Sequence, residues 1–197
     1  DPDTFIEFDD VNVFTDMWTC FYITESPDKV EQMLPYLPFD DESIAQLLVQ
    51  IALPHTSHEN RSPEYGGPNV QIPLGSCARC LELSYRLNPI ADTLITLGRH
   101  LYGGGQMAEA VAVYRQIESS FPSVFDEDSS RTFGWALQEL GLLDEAETWL
   151  RKSALEYCPD DYMDVEPLIT FYEQYQRWID AREVLEIHIS ARLFKQQ

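Results

Sequence analysis

Residues 91–124 read ADTLITLGRHLYGGGQMAEAVAVYRQIESSFPSV. Apolar side chains recur at Leu94, Leu97 and Leu101, and again at Ala110, Val113, Tyr114 and Ile117. Spacings of three and four residues put them on one face of each of two amphipathic helices. Gly103-Gly104-Gly105 breaks the chain between the helices, and Phe121-Pro122 ends the second. The unit is a helix hairpin.

The hairpin recurs. Residues 127–160 read EDSSRTFGWALQELGLLDEAETWLRKSALEYCPD, with Leu140-Gly141 where the glycine turn stood. Ala146 takes the place of Ala110, Leu150 that of Tyr114, and Pro159 lies near the place of Pro122. A third copy spans about 162–195, with Ala181 and Leu185 in the same roles. Ala110, Ala146 and Ala181 are 36 and 35 residues apart. A period of this length predicts a stacked array of helix pairs, because one hairpin cannot bury its apolar faces alone.

Over roughly 91–195 the chain resembles the tetratricopeptide repeat (TPR) family. That pattern sets Leu-Gly in helix A, a small residue early in helix B, an aromatic four residues later and a closing proline. Here they are Leu97-Gly98, Ala110, Tyr114 and Pro122, then Phe133-Gly134, Ala146, Leu150 and a displaced Pro159. In the third copy Leu168 and Ala181 fit, Ile169 replaces the glycine, and Pro167 falls inside helix A. The resemblance implies an all-α, TPR-like solenoid of about three repeats plus a degenerate first unit. It also implies a concave surface, lined by helix A residues, that holds a peptide or a helix. Those positions are Asp92, Ile95, Arg99 and Tyr102; Asp128, Arg131, Trp135 and Gln138; and Met163, Glu166, Thr170 and Glu173. Relatives that clamp the C-terminal carboxylate of chaperones use Lys and Asn there, and this chain has neither at these places. It has Arg99 and Arg131 beside Tyr102 and Trp135, residue types that dominate interface energies.

Upstream the pattern degrades. Glu42–Leu53, led by Asp40-Asp41, predicts a helix A, and residues 78–88 predict a helix B with Cys77 in the small-residue position. Between them, residues 54–75 hold four prolines and three glycines, a long loop of the functional or disordered kind. A short helix is expected at Asp28–Leu37. Residues 1–23 alternate acid with bulky apolar side chains. The expected division is 1–39 as an irregular acidic-aromatic segment, 40–90 as a degenerate hairpin and 91–197 as the repeats. The opening, DPDTFIEFDD, has no initiator methionine and no secretory signal, which suggests a processed chain or a piece of a longer one.

Charge narrows the function. The 197 residues carry 34 acidic and 13 Lys+Arg side chains, a formal net charge of -21. The acid is densest in residues 1–64, with 14 acidic side chains against Lys29 and Arg61. Such a surface repels phosphate and anionic lipid and attracts basic protein segments, so direct nucleic-acid and membrane binding are not expected. No apolar run reaches the length of a membrane span. Four cysteines without a secretory signal argue for free thiols and an intracellular, cytoplasmic or nuclear, setting.

Two chemistries remain to be placed. His55-x-x-His58 followed by Cys77-x-x-Cys80 supplies the ligand types of a structural zinc site. Against that, Cys77 and Cys80 fall on one predicted helix, where a buried thiol packs as a small hydrophobe. No nucleophile elbow, Walker loop or His-Glu-x-x-His is present, so catalysis is not expected. The last helix, DAREVLEIHISARLF, is apolar over a wide arc ending at Phe194, so the array either continues in a longer parent or meets a partner there. The expectation is a non-catalytic protein-binding adaptor or complex subunit, its partner carrying a basic or apolar segment. Arg99, Tyr102, Arg131, Trp135 and Phe194 are its candidate binding residues, and no cofactor beyond the possible zinc is expected. An acidic decoy that occupies a partner's basic, nucleic-acid-binding surface is the alternative.

Overall fold

The computed structural model describes residues 31–32, 34–36, 39–56 and 74–195. Among these residues there are eight α-helices and no strand. They are α1 (Asp41–Thr56), α2 (Leu74–Leu87), α3 (Ala91–Gly103), α4 (Met107–Ser120), α5 (Glu127–Glu139), α6 (Leu143–Arg151), α7 (Tyr162–Gln174) and α8 (Trp178–Lys195). They fall into two compact units, one ending at His100 and the other beginning at Leu101, within α3.

In the first unit α1 packs along α2. Helix α1 starts where Asp40 Oδ1 accepts from the Ser43 backbone N–H at 2.7 Å, a side-chain cap on a free helix donor. It buries Ile44, Ala45, Leu48 and Ala52, and α2 buries Cys77, Ala78, Cys80, Leu81 and Leu83. Ser84 Oγ, buried between them, donates to the Ala45 carbonyl at 2.8 Å. Helix α1 runs past Pro54 to Thr56, and α2 starts at Leu74, so both helices extend into the stretch expected to be loop. Of the expected 28–37 helix, residues 31–32 are helical and Leu34–Tyr36 form a 3₁₀ turn. Glu31 accepts from Arg79 at 2.7 Å and Arg86 at 2.5 Å, which ties this stretch to α2. The acidic-aromatic residues 1–23 and the loop residues 57–73, with His58, lie outside the described residues.

The second unit is built on one turn used three times. At the end of α3, Gly105 N–H donates to the Tyr102 carbonyl and Gln106 N–H to that of Leu101. After α5, Gly141 and Leu142 make the same pair of bonds to Gln138 and Leu137. After α7, Gln176 and Arg177 make them to Glu173 and Tyr172. This is the Schellman ending, which satisfies the last helix carbonyls by turning one residue into the left-handed region. That residue is Gly105 at φ 77°, Gly141 at φ 75° and Gln176 at φ 58°. The next helix follows at once, with Ala110, Ala146 and Ala181 each donating back to the first residue after the turn.

Close approach of helices A and B explains the small residues. Ala110, Ala146 and Ala181 are buried. A Cβ on Gly134 would lie 2.8 Å from Leu150 Cγ and 3.2 Å from the Leu150 backbone nitrogen, so α5 and α6 touch there. Tyr114, Phe125, Phe133 and Trp149 form one aromatic cluster, with centroid separations of 4.5–6.3 Å. Helix α5 opens on a capping box in which Asp126 and Ser129 bond each other's backbone N–H at 2.7 and 3.0 Å. Helix α6 widens after Arg151 into a π-helical turn, Lys152–Tyr157, where Ser153 Oγ donates to the Glu127 carbonyl. Pro167 sits within α7 without ending it.

Candidate partner-binding cleft

The A helices of the second unit carry a cleft of about 390 Å³. Its lining is Tyr102 from the end of α3; Trp135, Gln138 and Glu139 from α5; and Glu166, Pro167, Thr170, Phe171 and Gln174 from α7. Helical spacing is what aligns them. Trp135, Gln138 and Glu139 lie three and four residues apart, as do Glu166, Thr170 and Gln174, so each set shares a helix face.

Aromatic rings form much of the wall. Tyr102 stacks on Trp135, with centroids 6.1 Å apart and planes inclined by 20°. Phe171 is buried beneath. The Gln138 side-chain amide donates to Gln174 at 2.6 Å, bridging α5 and α7. Two carboxylates, Glu139 and Glu166, complete the lining, and no lysine or arginine is among the described residues that form it. Burial raises the Tyr102 hydroxyl pKa above the usual tyrosine range, and the negative charge of Glu139 adds to that shift.

Arg131 lies against Trp135 from its own side, with the guanidinium carbon 5.6 Å from the ring centroid. It donates to Asp128 one turn back and to Asp164 on α7. Its charge is therefore engaged inside the unit, and it braces Trp135 and links α5 to α7. Arg99 is exposed on α3, one turn before Tyr102, and belongs to the first unit. Met163 is 69% exposed, and neither it nor Glu173 joins the lining. Glu139, Pro167, Phe171 and Gln174 were not anticipated. The helical spacing from Trp135 and from Glu166 was the available signal for two of them, Glu139 and Gln174.

Phe194 stands 83% exposed near the end of α8, beside Leu193, itself one turn after Ile189, and both of these are also exposed. At the proposed metal site, Cys77 and Cys80 are buried in α2, and burial pushes the Cys77 thiol up to about 11. His55 lies in the last turn of α1, and His58 is outside the described residues. Among the described residues no three His, Cys, Asp or Glu side chains cluster as metal ligands do. His188, buried in α8, is held by its Nδ1 at 2.9 Å from the Pro159 carbonyl oxygen. No helix among the described residues is long and apolar enough to cross a membrane.

A second polar cluster lies on the B side. Tyr172 O–H donates to Glu147 at 2.7 Å and accepts from Arg151 at 2.8 Å. Arg177 donates to the same Glu147 carboxylate and, at 2.7 Å, to Asp180. These bonds link α6, α7 and the start of α8. Burial, with Glu147 accepting the phenol proton, pushes Tyr172 up to about 12. Lys152, from the π-helical turn, lies 4.7 Å from the Trp149 ring centroid and caps the aromatic cluster.

The chain matches no protein-family model, and no curated protein matches it in sequence. Its fold is similar to the crystal structure of MamA, a TPR-like helical repeat protein, with a TM-score of 0.61 over 86% of each chain at 12% identity. A likeness at that identity speaks to the fold, which is therefore that of a TPR-like helical repeat protein.

Proposed function

We propose that this protein is a non-catalytic interaction scaffold that holds a segment of a protein partner in the cleft between its A helices. The observation that carries this reading is the cleft: stacked Tyr102 and Trp135, buried Phe171 and two carboxylates on one helix-A face. Aromatic side chains in a partly desolvated depression are the usual anchors of protein interfaces. A volume of about 390 Å³ suits one or two side chains of an extended segment. The TPR-like fold, a protein-interaction scaffold, points the same way.

The test is affinity purification with the intact chain at low and high salt, beside Trp135→Ala. The reading expects a partner that survives high salt and is lost from the variant, whose helical CD signal stays intact. Partners that are all basic and all lost at high salt, regardless of Trp135, would move the function to the acidic surface at large.

The exposed Ile189, Leu193 and Phe194 on α8 favour a second reading, in which the partner docks on that helix. Under it, Phe194→Ser abolishes capture and Trp135→Ala leaves it unchanged.

A further inference from the structure

The second unit already contains a worked example of how it holds a guanidinium. Arg131 lies 5.6 Å from the Trp135 centroid and donates to two carboxylates, Asp128 and Asp164. The site thus combines an aromatic face with two acids. The cleft repeats that combination, with the Tyr102–Trp135 stack as its aromatic wall and Glu139 and Glu166 as its acids. None of the described residues lining it supplies a cation. Glu139 sits close enough to Tyr102 to disfavour ionisation of its phenol.

We propose that the cleft receives an arginine side chain from an extended segment of a protein partner, its guanidinium lying against the Tyr102–Trp135 wall and its charge met by Glu139 and Glu166. The proposal rests on the reading that the partner docks in this cleft, and it names what is recognised there. Charge complementarity selects the occupant. A carboxylate or phosphate would meet two like charges there, Glu139 and Glu166, and be repelled. An apolar side chain would fill the aromatic part and leave both acids unmatched. Arginine fits better than lysine because its planar guanidinium stacks on a ring and still directs donors in its own plane to carboxylates. The chain's own residues 1–28 contain no lysine or arginine, so that acidic segment does not match the site.

The experiment is a selection of random short peptides displayed on phage, with the intact chain as bait at high salt. High salt suppresses the general pull of a chain with net charge -21 on basic peptides. The enriched peptides are then synthesised and their affinities measured. The expected result is one arginine common to the enriched peptides, with binding lost in Trp135→Ala. Glu139→Gln/Glu166→Gln should weaken binding at least tenfold. Glu109→Gln/Glu118→Gln, which makes the same charge change on α4, should leave it within twofold. Replacing that arginine by lysine should weaken binding several-fold, and replacing it by citrulline should remove most of it. Peptides that need Trp135 but lack an arginine, or tolerate citrulline, would overturn the arginine assignment and keep the cleft as the docking place. Failure to enrich any peptide, or enrichment indifferent to Trp135→Ala, would remove both.

Discussion

At Gly134 the helix packing leaves no room for a side chain. A methyl group there meets Leu150 at 2.8 Å, closer than carbon atoms can approach, and the Leu150 backbone lies behind at 3.2 Å. Alanine gains about 1 kcal/mol of helix propensity over glycine, whereas overpacking a close helix contact costs about 1–3 kcal/mol. The net effect of Gly134→Ala is therefore a loss of up to about 2 kcal/mol in urea unfolding. In a double-mutant cycle with Leu150→Ala, most of the penalty should disappear. Gly103→Ala is the control, because a Cβ there meets nothing within 4 Å, and it should be neutral or stabilising. Equal penalties at the two glycines would show that the α5–α6 approach is looser than described.

Tyr172 makes a pH prediction at the same scale. Its pKa is near 12 in the folded chain, against about 10 when unfolded. The folded state then holds the proton longer. Stability from this group is complete below about pH 10 and declines as pH rises through 12. Tyr172→Phe should cost about 1 kcal/mol at neutral pH and flatten that alkaline decline. Chemical denaturation across the window, with the two proteins side by side, checks it. Parallel curves would mean that burial and the Glu147 hydrogen bond do not keep the phenol protonated.

At the scale of elements, the three Schellman turns are chemically unequal. Gly105 and Gly141 occupy the left-handed region without a Cβ, but Gln176 occupies it with one. A left-handed non-glycine residue costs roughly 1–2 kcal/mol. Gln176→Gly should therefore raise stability by about 1 kcal/mol, and Gly141→Ala should lower it by a similar amount. Thermal unfolding of the two variants decides. Destabilisation by Gln176→Gly would mean that the glutamine side chain makes contacts worth more than the backbone strain. The turns also explain which elements could be read in advance. Leucine spacing and Ala110, Ala146 and Ala181 disclosed the hairpins, because each helix pair must repeat its own close contact. The third turn carried no glycine and left no compositional mark. The π-helical turn Lys152–Tyr157 was likewise hidden, since its sequence keeps an ordinary helical pattern. Helix α2 began at Leu74, ahead of the expected start, because helix ends carry weaker periodic signals than helix centres.

For the whole molecule, the acid excess and the aromatic wall become parts of one account. On the proposed function, the overall charge draws basic partners from a distance, and the cleft of the second unit discriminates among them. Tyr102 and Trp135 were legible as groove residues through the resemblance to the repeat family, whose helix A positions line a concave surface. The fate of Arg131 was not. Its partner Asp164 is 33 residues away, roughly one repeat, and an ion pair between successive A helices follows only once their stacking is known. Phe171 and Pro167 were hidden for the same reason, since only the packed array decides which α7 side chains border a depression.

The most direct test of the cleft as the docking place is photo-crosslinking with benzoylphenylalanine at single positions, in extract from the source cells. Position 138 lies in the cleft, position 118 on the exposed face of α4 and position 194 on α8. A discrete protein adduct is expected from position 138, none from 118, and loss of the adduct when Trp135→Ala is added. An adduct from position 194 with none from 138 would contradict this and place the partner on α8.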